Sequence, residues 1–414
     1  MFSSLLRSFP RFQIGRKWKP LNFSNPNFGL VAPGQKIEEE TFPDYLASRY
    51  YPIQIGEVIQ DRYQVVGKLG FGVTSTVWLA RDMDRRSFVT LKIFINAASM
   101  GQEIDNELKI YQRIGRASAH PGRRAIRSLE NSFNIDGPED KHQCLVHPPL
   151  FESVWDFLHR NPIQRLPKPV LAFTLYRLFT ALDYLHSECQ IIHTDIKPDN
   201  IMFEFADDSV FTIFEEEELQ DPSPRKEQDG RTIYLTRELK MLPGKTGAPV
   251  LSDFGSAMLG DREHLEDVQP NIYRAPEVIL EVPWSYSIDI WNVGCMIWNL
   301  FEGGSLFTGM DPELQTYRSK AHLAEMINLL GPPPPSFLAR ANQSQKFFSE
   351  TGEFLEKSLL KDLVPLEQRE TNLEGEDRES FLRFMRKMLQ WEPEKRSSAK
   401  ELAEDEWICK HRGF

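Results

Sequence analysis

The sequence predicts an α+β chain of two unequal lobes, a small one built on an antiparallel sheet and a larger one that is mainly helical. Three observations point there. Residues 63 to 94 contain the strand-like runs "YQVVGKLG", "STVWLARD" and "SFVTLKIF", rich in β-branched and aromatic residues and separated by glycine or charged turns. A further short run, "KHQCLVHPPL", ends in a double proline that neither a helix nor a central strand tolerates. Beyond it, apolar residues recur at three- and four-residue steps over 169–187, 286–302 and 378–390, the spacing of one helix face.

Taken in order, residues 1 to 37 carry Arg7, Arg11, Arg16, Lys17, Lys19 and Lys36 and no acidic residue. Mitochondrial transit peptides share that composition, but the Pro and Asn residues interrupt a helix, so a flexible basic extension over 1–53 is the expectation. The sheet lobe then occupies about 54–147. Its single helix is expected over 101–114, where Ile104, Leu108, Tyr111 and Ile114 share a face. The double proline marks a hinge at 148–150, and the helical lobe runs over 151–410. Within that lobe, 204–249 has a different texture, with "EEEE" at 215–218, then "DPSPRKEQDG" and "LPGKTGAP". High charge with Pro and Gly predicts a largely mobile insertion, in which "RTIYLTREL" adds a short strand or helix.

The 414 residues suffice for two to three cores, and the formal charge of −11 disfavours nucleic acid as a partner and favours basic proteins. Cys144, Cys189, Cys295 and Cys409 form no CxxC pair, which is poor material for a disulfide framework or a zinc site and fits a reducing compartment. No apolar stretch approaches the ~18 residues that span a bilayer.

The chemistry-bearing residues follow one another along this frame. In "LGFGVTSTVWLA", Gly70 and Gly72 let the backbone approach a phosphate, although the third glycine position is Ser75 and such hairpins are common. Lys92 lies in an apolar strand, where an unpaired ammonium is costly. Its best-placed anionic partner is Glu107, with Glu103 and nucleotide phosphates as competitors. In "HTDIKPDN", residues 193–200, Asp195 is placed to accept a hydrogen bond from a substrate hydroxyl, Lys197 to neutralise a transferring phosphoryl group, and Asn200 to hold a metal. Further on, "LSDFGSA" delivers Asp253 into a tight turn, and an Asp and an Asn on neighbouring loops are hard oxygen ligands suited to Mg²⁺. An "APE" follows at Ala275 to Glu277.

In this order the motifs make the chain similar to eukaryotic protein kinases over about residues 54–408. The resemblance implies the bilobal protein kinase fold, with ATP and Mg²⁺ as cofactors. Leu69, Gly70, Gly72 and Val77 would line the nucleotide, and Lys92 paired with Glu107 would orient its phosphates. With His147 as gatekeeper, the Pro148 carbonyl and the Leu150 amide would meet the adenine; a shift of one residue would put Pro149, which has no N–H, at the donor position. Asp289 would brace the catalytic loop and Glu277 would pair with Arg396.

"YYPIQIGEVIQDRYQVVGKLGFGVTSTVWLARD", "HTDIKPDNI" and the place of the insertion resemble the SR-protein kinases, and "YRAPEVIL" the wider CMGC group. That resemblance implies phosphorylation of Ser in basic, Arg-Ser-rich splicing factors by a monomer in cytoplasm and nucleus, with no membrane and no direct nucleic-acid contact. Asp311, Glu313 and Glu325 would contribute a docking surface or, failing that, a solvated face. The chain departs from those kinases in having Asp253-Phe254-Gly255 for the usual Asp-Leu-Gly, "QPNI" at 269–272 and a short insertion, so a divergent specificity is expected. A pseudokinase scaffold is the alternative, motivated by Ser75, the hinge prolines and Thr194, and opposed by the presence of Lys92, Glu107, Asp195, Lys197, Asn200 and Asp253.

Thr194 bears on regulation. Many kinases place there an Arg that grips a phosphate on the activation loop. Here the Arg is missing, and residues 257–272, "AMLGDREHLEDVQPNI", contain no Ser, Thr or Tyr. The two absences together predict an enzyme active without loop phosphorylation.

Overall fold

The computed structural model describes residues 17–100, 106–116, 118–240 and 246–413. Ile104 and Glu103 of the expected helix, and the arginines at 7, 11 and 16, lie outside the described residues. The chain divides into two compact units, one drawn from Met1–Ser99, Phe133–Val146 and Asp208–Met241, the other from Met100–Ser132, His147–Asp207 and Leu242–Phe414.

In the first unit, β1 (Val58–Ile59), β2 (Tyr63–Phe71), β3 (Ser75–Asp82), β4 (Ser87–Asn96), β5 (Asn131–Asp136) and β6 (Lys141–His147) form a six-stranded sheet in the order β1-β2-β3-β4-β6-β5. β1 to β4 pair antiparallel, with Trp78 of β3 opposite Lys68 on one side and Leu91 on the other. Val65, Trp78, Ala80, Val89, Leu91, Cys144 and Val146 make its core. The runs read as strands are strands because their β-branched and aromatic side chains fill a pleated, buried surface.

Over the described residues, 17–53 of the N-terminal stretch and 204–240 and 246–249 of the insertion, neither is the loose chain that its composition predicts. From Trp18 onward the first stretch is a strap on the sheet. Trp18 N donates to Met83 O at 2.9 Å, its ring meets Phe88 edge-on at 5.6 Å, and the Gln64 amide holds Leu21 N and O, both at 2.8 Å. The insertion begins with the helix Ser209–Gln220, which buries Val210, Phe211 and Phe214. Phe214 packs so closely that a Cβ on Gly67 would stand 2.7 Å from its ring. The acidic run sits on this helix with partners: Glu215 pairs with Arg81 at 2.9 Å, and buried Glu218 accepts from Ser223 N at 2.8 Å and Arg237 Nε at 2.8 Å. A hairpin of Arg225–Gln228 and Arg231–Tyr234 follows, so "RTIY" is a strand, and Tyr234 enters the sheet core edge-on to Trp78 at 5.8 Å.

Strap and insertion also hold each other. Val31 N donates to Arg225 O and Arg225 N to Gly29 O, both at 2.9 Å; Lys226 pairs with Glu40 at 2.8 Å; Thr236 N and Oγ1 donate to Glu38 at 3.0 and 2.7 Å. At the centre lies Lys68 of β2, fully buried, its ammonium bonded to the Glu39 carboxylate and to Tyr234 O at 3.2 Å, with Glu38 at 3.4 Å. A buried ammonium is tolerated only with such partners. Several charges that composition assigns to solvent, Glu215, Glu218 and Lys226 among them, are answered by residues distant in sequence.

The second unit is mainly helical. The predicted helices Lys168–Tyr184, Ser287–Glu302 and Gly375–Arg386 are joined here by Asn106–Ile114, which the sequence assigns to the sheet lobe. Ser287–Glu302 buries Ile288 through Trp298 without interruption, since a helix apolar all round must sit inside. Two short antiparallel pairs complete it, Ile191–Ile192 with Met258–Leu259 and Ile201–Phe205 with Thr246–Leu251. Arg396 and Glu277, both buried, form a forked ion pair at 2.5 and 2.7 Å. Among the described residues no helix is long and apolar enough to cross a membrane, and the four cysteines are free.

Candidate active site

The glycine turn belongs to the first unit. Gly70 faces Val77 and Phe71 faces Thr76 across the β2–β3 hairpin, and Gly72 N donates to Ser75 O at 2.7 Å. Neither glycine has a positive φ. A Cβ on Gly70 would meet nothing within 4 Å, and on Gly72 only Ser75 O at 3.8 Å. The chain's own packing therefore does not demand glycine, and the bare backbone suits a close-approaching ligand such as a phosphate. Leu69 precedes the turn, half-buried. Lys92 lies opposite Val77 on β4, half-buried between buried Leu91 and Ile93, with its ammonium 5.1 Å from the Phe94 ring centre.

The other chemical groups belong to the second unit, where "HTDIKPDN" is braced from behind. Asp289, fully buried in the first turn of Ser287–Glu302, accepts from His193 N at 2.9 Å, Thr194 N at 3.0 Å and His186 Nε2 at 2.9 Å. Three residues on, Asn292 donates to Ile196 O at 2.5 Å. With its backbone fixed at both sides, the loop presents Asp195, whose Oδ2 accepts from Lys197 Nζ at 2.8 Å and from Asn200 Nδ2 at 3.0 Å. Asn200 Nδ2 also donates to Asp195 O at 2.8 Å, so its amide nitrogen is committed and its carbonyl oxygen remains as a ligand atom. Pairing of Leu251 with Ile201, and of Ser252 N and Oγ with Asn200 O at 2.8 and 3.0 Å, brings Asp253 to this loop.

Behind Asp253 four rings pack in sequence: His193 to Phe254 at 5.1 Å, Phe254 to Tyr111 at 5.2 Å and Tyr111 to His147 at 4.9 Å. Phe254 is fully buried, and burial, with Glu107 and Asp253 nearby, holds the Tyr111 phenol well above its ordinary pKa. Glu107, on the helix carrying Tyr111, is buried. Its carboxylate oxygen and Asp253 Oδ1 would stand 3.7 and 3.5 Å from a Cβ on Gly255. Asn106 fastens the helix start to Gly255 O and Ala257 O, both at 3.1 Å. At the hinge, Leu150 is buried and Pro148 O accepts from Arg127 at 3.4 Å, which leaves the carbonyl a second lone pair.

The segment after Gly255 is ordered by direct contacts. Thr194, at φ +66°, donates from Oγ1 to Ser256 O at 2.8 Å. Gly260 N donates to Gln190 O at 2.8 Å, and Tyr286 Oη to Gly260 O at 2.9 Å. His264 and Trp284 exchange backbone hydrogen bonds at 3.1 and 3.0 Å and stack at 4.7 Å. Gln269 ties the end to Ile288 O at 2.8 Å and to Ala275 N at 2.9 Å.

A model of the protein kinase domain family matches residues 63–408. The chain belongs to the protein kinase family. It is 42% identical over 389 residues to a serine/threonine protein kinase of Aspergillus fumigatus, covering 92% of this chain and 93% of that one. It is 30% identical over 395 residues to the serine/threonine-protein kinase SRPK of Physarum polycephalum, covering 90% and 92%. A solved crystal structure of a kinase domain shares the fold at TM-score 0.66 and 23% identity, covering 87% of this chain and 99% of that one. This kinase is thus a serine/threonine protein kinase of SRPK type, an enzyme that uses ATP and a divalent metal.

Asp195, Lys197, Asn200 and Asp253 of this kinase stand on adjoining loops of one unit, with Glu107 on the helix fastened to them; Leu69, Gly70, Gly72, Val77 and Lys92 stand together on the sheet of the other. Sequence reasoning missed His186 and Asn292, although Asn292, three residues from Asp289 on a helix, shares its face. Two of the expected docking acids are loop fasteners. Asp311 accepts from Glu313 N and Leu314 N at 3.0 and 3.1 Å, and Glu325 from Thr308 N, Thr308 Oγ1 and Gly309 N at 2.6, 2.6 and 2.9 Å.

Proposed function

We propose that this kinase transfers the γ-phosphoryl of ATP to Ser in basic, Arg-Ser-rich protein substrates, in the service of mRNA splicing. The observation that carries the reaction is Asp195, a carboxylate with Lys197 and Asn200 at its oxygen, on a loop immobilised by Asp289. In the transfer, the substrate hydroxyl donates a hydrogen bond to Asp195 and loses its proton there as its oxygen bonds to the γ-phosphorus. The bond to the β,γ-bridging oxygen breaks in line, and ADP leaves. Lys197 offsets the charge spread over the transferring group. On the sheet, Lys92 orients the α- and β-phosphates over the turn at Gly70 and Gly72; in the other unit, Glu107 supplies the anionic side chain the family pairs with such a lysine, and Pro148 O and Leu150 N take the adenine.

Asp253 and Asn200 suit Mg²⁺, since both offer hard oxygen atoms. Asp253 and Asn200 are the side chains that would hold the ion; among the described residues no group of three or more His, Cys, Asp or Glu is arranged as a metal site. When bound, Mg²⁺ neutralises phosphate charge.

The activation segment exposes Asp261, Glu263, Glu266 and Asp267, which together with the −11 balance of the chain favours basic substrates. Asp311 and Glu325 are spent on backbone N–H groups, so of the three acids that the resemblance singled out only exposed Glu313 keeps a docking role, together with the segment acids. The scaffold alternative finds no support, because every group the transfer needs is present.

The test is incubation of the purified kinase with Mg-ATP and an Arg-Ser repeat peptide beside a Lys-Ser peptide of equal charge, read by mass spectrometry. Preferential labelling of the Arg-Ser peptide is expected. Equal labelling of both would leave only a general preference for basic substrates, and labelling of neither would remove the functional reading.

A further inference from the structure

The strap ends beneath the glycine turn. Tyr50, with 4% of its surface exposed, donates from its hydroxyl to Val73 O at 2.9 Å and reaches Gly72 O at 3.3 Å. Around it the strap is fastened on several sides. Phe42 packs on Phe71 at 5.8 Å, Tyr45 on the Tyr50 ring at 5.3 Å, and Asn96 of β4 donates to Ser48 O at 3.2 Å. Arg231 of the insertion hairpin donates to Ala47 O at 2.5 Å and to Tyr50 O at 2.7 Å. Burial raises the pKa of the Tyr50 hydroxyl, so it remains a donor at neutral pH.

The tip it holds is otherwise open. Phe71 and Val73 are exposed at 38% and 53%, and two glycines flank Phe71. A glycine turn of this kind is soft, and freezing it around a phosphate costs conformational entropy that a tether spends in advance. The Tyr50 contact also has the right polarity. It engages carbonyl oxygens of the turn and takes up none of its backbone N–H groups, the kind of donor a phosphate needs, although Gly72 N is itself bonded to Ser75 O.

We infer that Tyr50 is a positioning residue for nucleotide binding: its hydroxyl pins the Gly72 and Val73 carbonyls, so that the strap, held by Arg231 of the insertion, presets the phosphate-binding turn. This rests on the reading of Gly70–Gly72 as the phosphate turn. The strap and insertion are then parts of the ATP site's scaffold, although neither needs to touch the nucleotide.

The test is Tyr50→Phe, which keeps the ring and removes only the hydroxyl. Steady-state kinetics, thermal melting and hydrogen exchange of the nucleotide-free protein are measured beside wild type. Loss of one hydrogen bond of ordinary strength predicts a rise in KM for ATP of about threefold to tenfold. The kcat and the KM for peptide should stay unchanged, the melting midpoint should fall by no more than the loss of one hydrogen bond explains, and amide exchange over residues 71–75 should quicken without ATP present. An unchanged KM for ATP overturns the inference, with or without faster exchange. A parallel fall in melting midpoint, kcat and both affinities overturns it too, by making Tyr50 a packing residue only. ATP binding by the wild-type protein separates failure of the tether from failure of the phosphate-turn reading. If wild type binds no ATP, the phosphate-turn reading itself fails; if wild type binds ATP and Tyr50→Phe binds equally well, only the tether fails.

Discussion

Asp195 and Thr194 are neighbours with opposite duties. Asp195 meets the substrate, and its replacement by Asn keeps the shape while removing the acceptor charge. Asp195→Asn should lower kcat by about 10² to 10⁴ while leaving ATP binding intact, as measured by initial rates and by ATP titration. Thr194 meets the chain itself. A β-branched residue at φ +66° is strained, and its hydroxyl bond to Ser256 O offsets that strain at the point where other kinases rely on an Arg and a phosphate. Thr194→Val retains the branched shape and loses the bond, so it should cost about 1 kcal/mol and loosen the segment after Gly255. Hydrogen exchange over 256–262 reads that loosening, with Thr194→Ser as the variant expected to behave like wild type; equal exchange in Thr194→Val and wild type would sink the role given to the hydroxyl.

Among the elements, strap, insertion and sheet act as one body with Lys68 as their knot. Removing one partner of a buried charge pair leaves the other uncompensated, so Glu39→Gln should destabilise the protein by about 3 kcal/mol in denaturant titrations. A change under 0.5 kcal/mol would mean that the Lys68 ammonium finds an equal partner elsewhere. The same region marks the limit of what can be read without a structure. β2 to β4, the helices after the hinge and the loop at 193–200 are legible because each depends on neighbours in sequence: alternation for strands, three- and four-residue steps for helices, and short motifs for the loop. The strap and the helix Ser209–Gln220 depend on partners about 20 to about 200 positions away, such as Lys226 for Glu40 and Tyr234 for Trp78. Glu215 and Glu218 in "EEEE" therefore read as solvated although they are paired. At the site the chemical groups are visible in sequence, whereas their supports, His186, Asn292 and Tyr50, carry no motif.

For the whole molecule, buried His322 links stability to acid. Burial, then nearby Arg274, pushes its pKa down to about 3, and Tyr317 Oη lies 3.2 Å from its Nδ1. The unfolded chain binds the proton near the ordinary value of about 6.5. The stability held above that value is thus lost as pH falls toward 3, by up to about 1.4 kcal/mol per pH unit. Denaturant titrations at pH 7 and pH 5 should show a shallower loss for His322→Gln than for wild type; equal losses would place the acid sensitivity in other groups. The direct contacts from Thr194 to Gln269 make the larger claim, that the fold is complete for catalysis without a phosphate on the activation segment. The deciding measurement is the kcat of this kinase on an Arg-Ser peptide after phosphatase treatment, with mass spectrometry verifying that residues 253–277 carry no phosphate. The same turnover as before treatment is expected. Turnover abolished by removal of a phosphate from Ser256 or Tyr273 would contradict it.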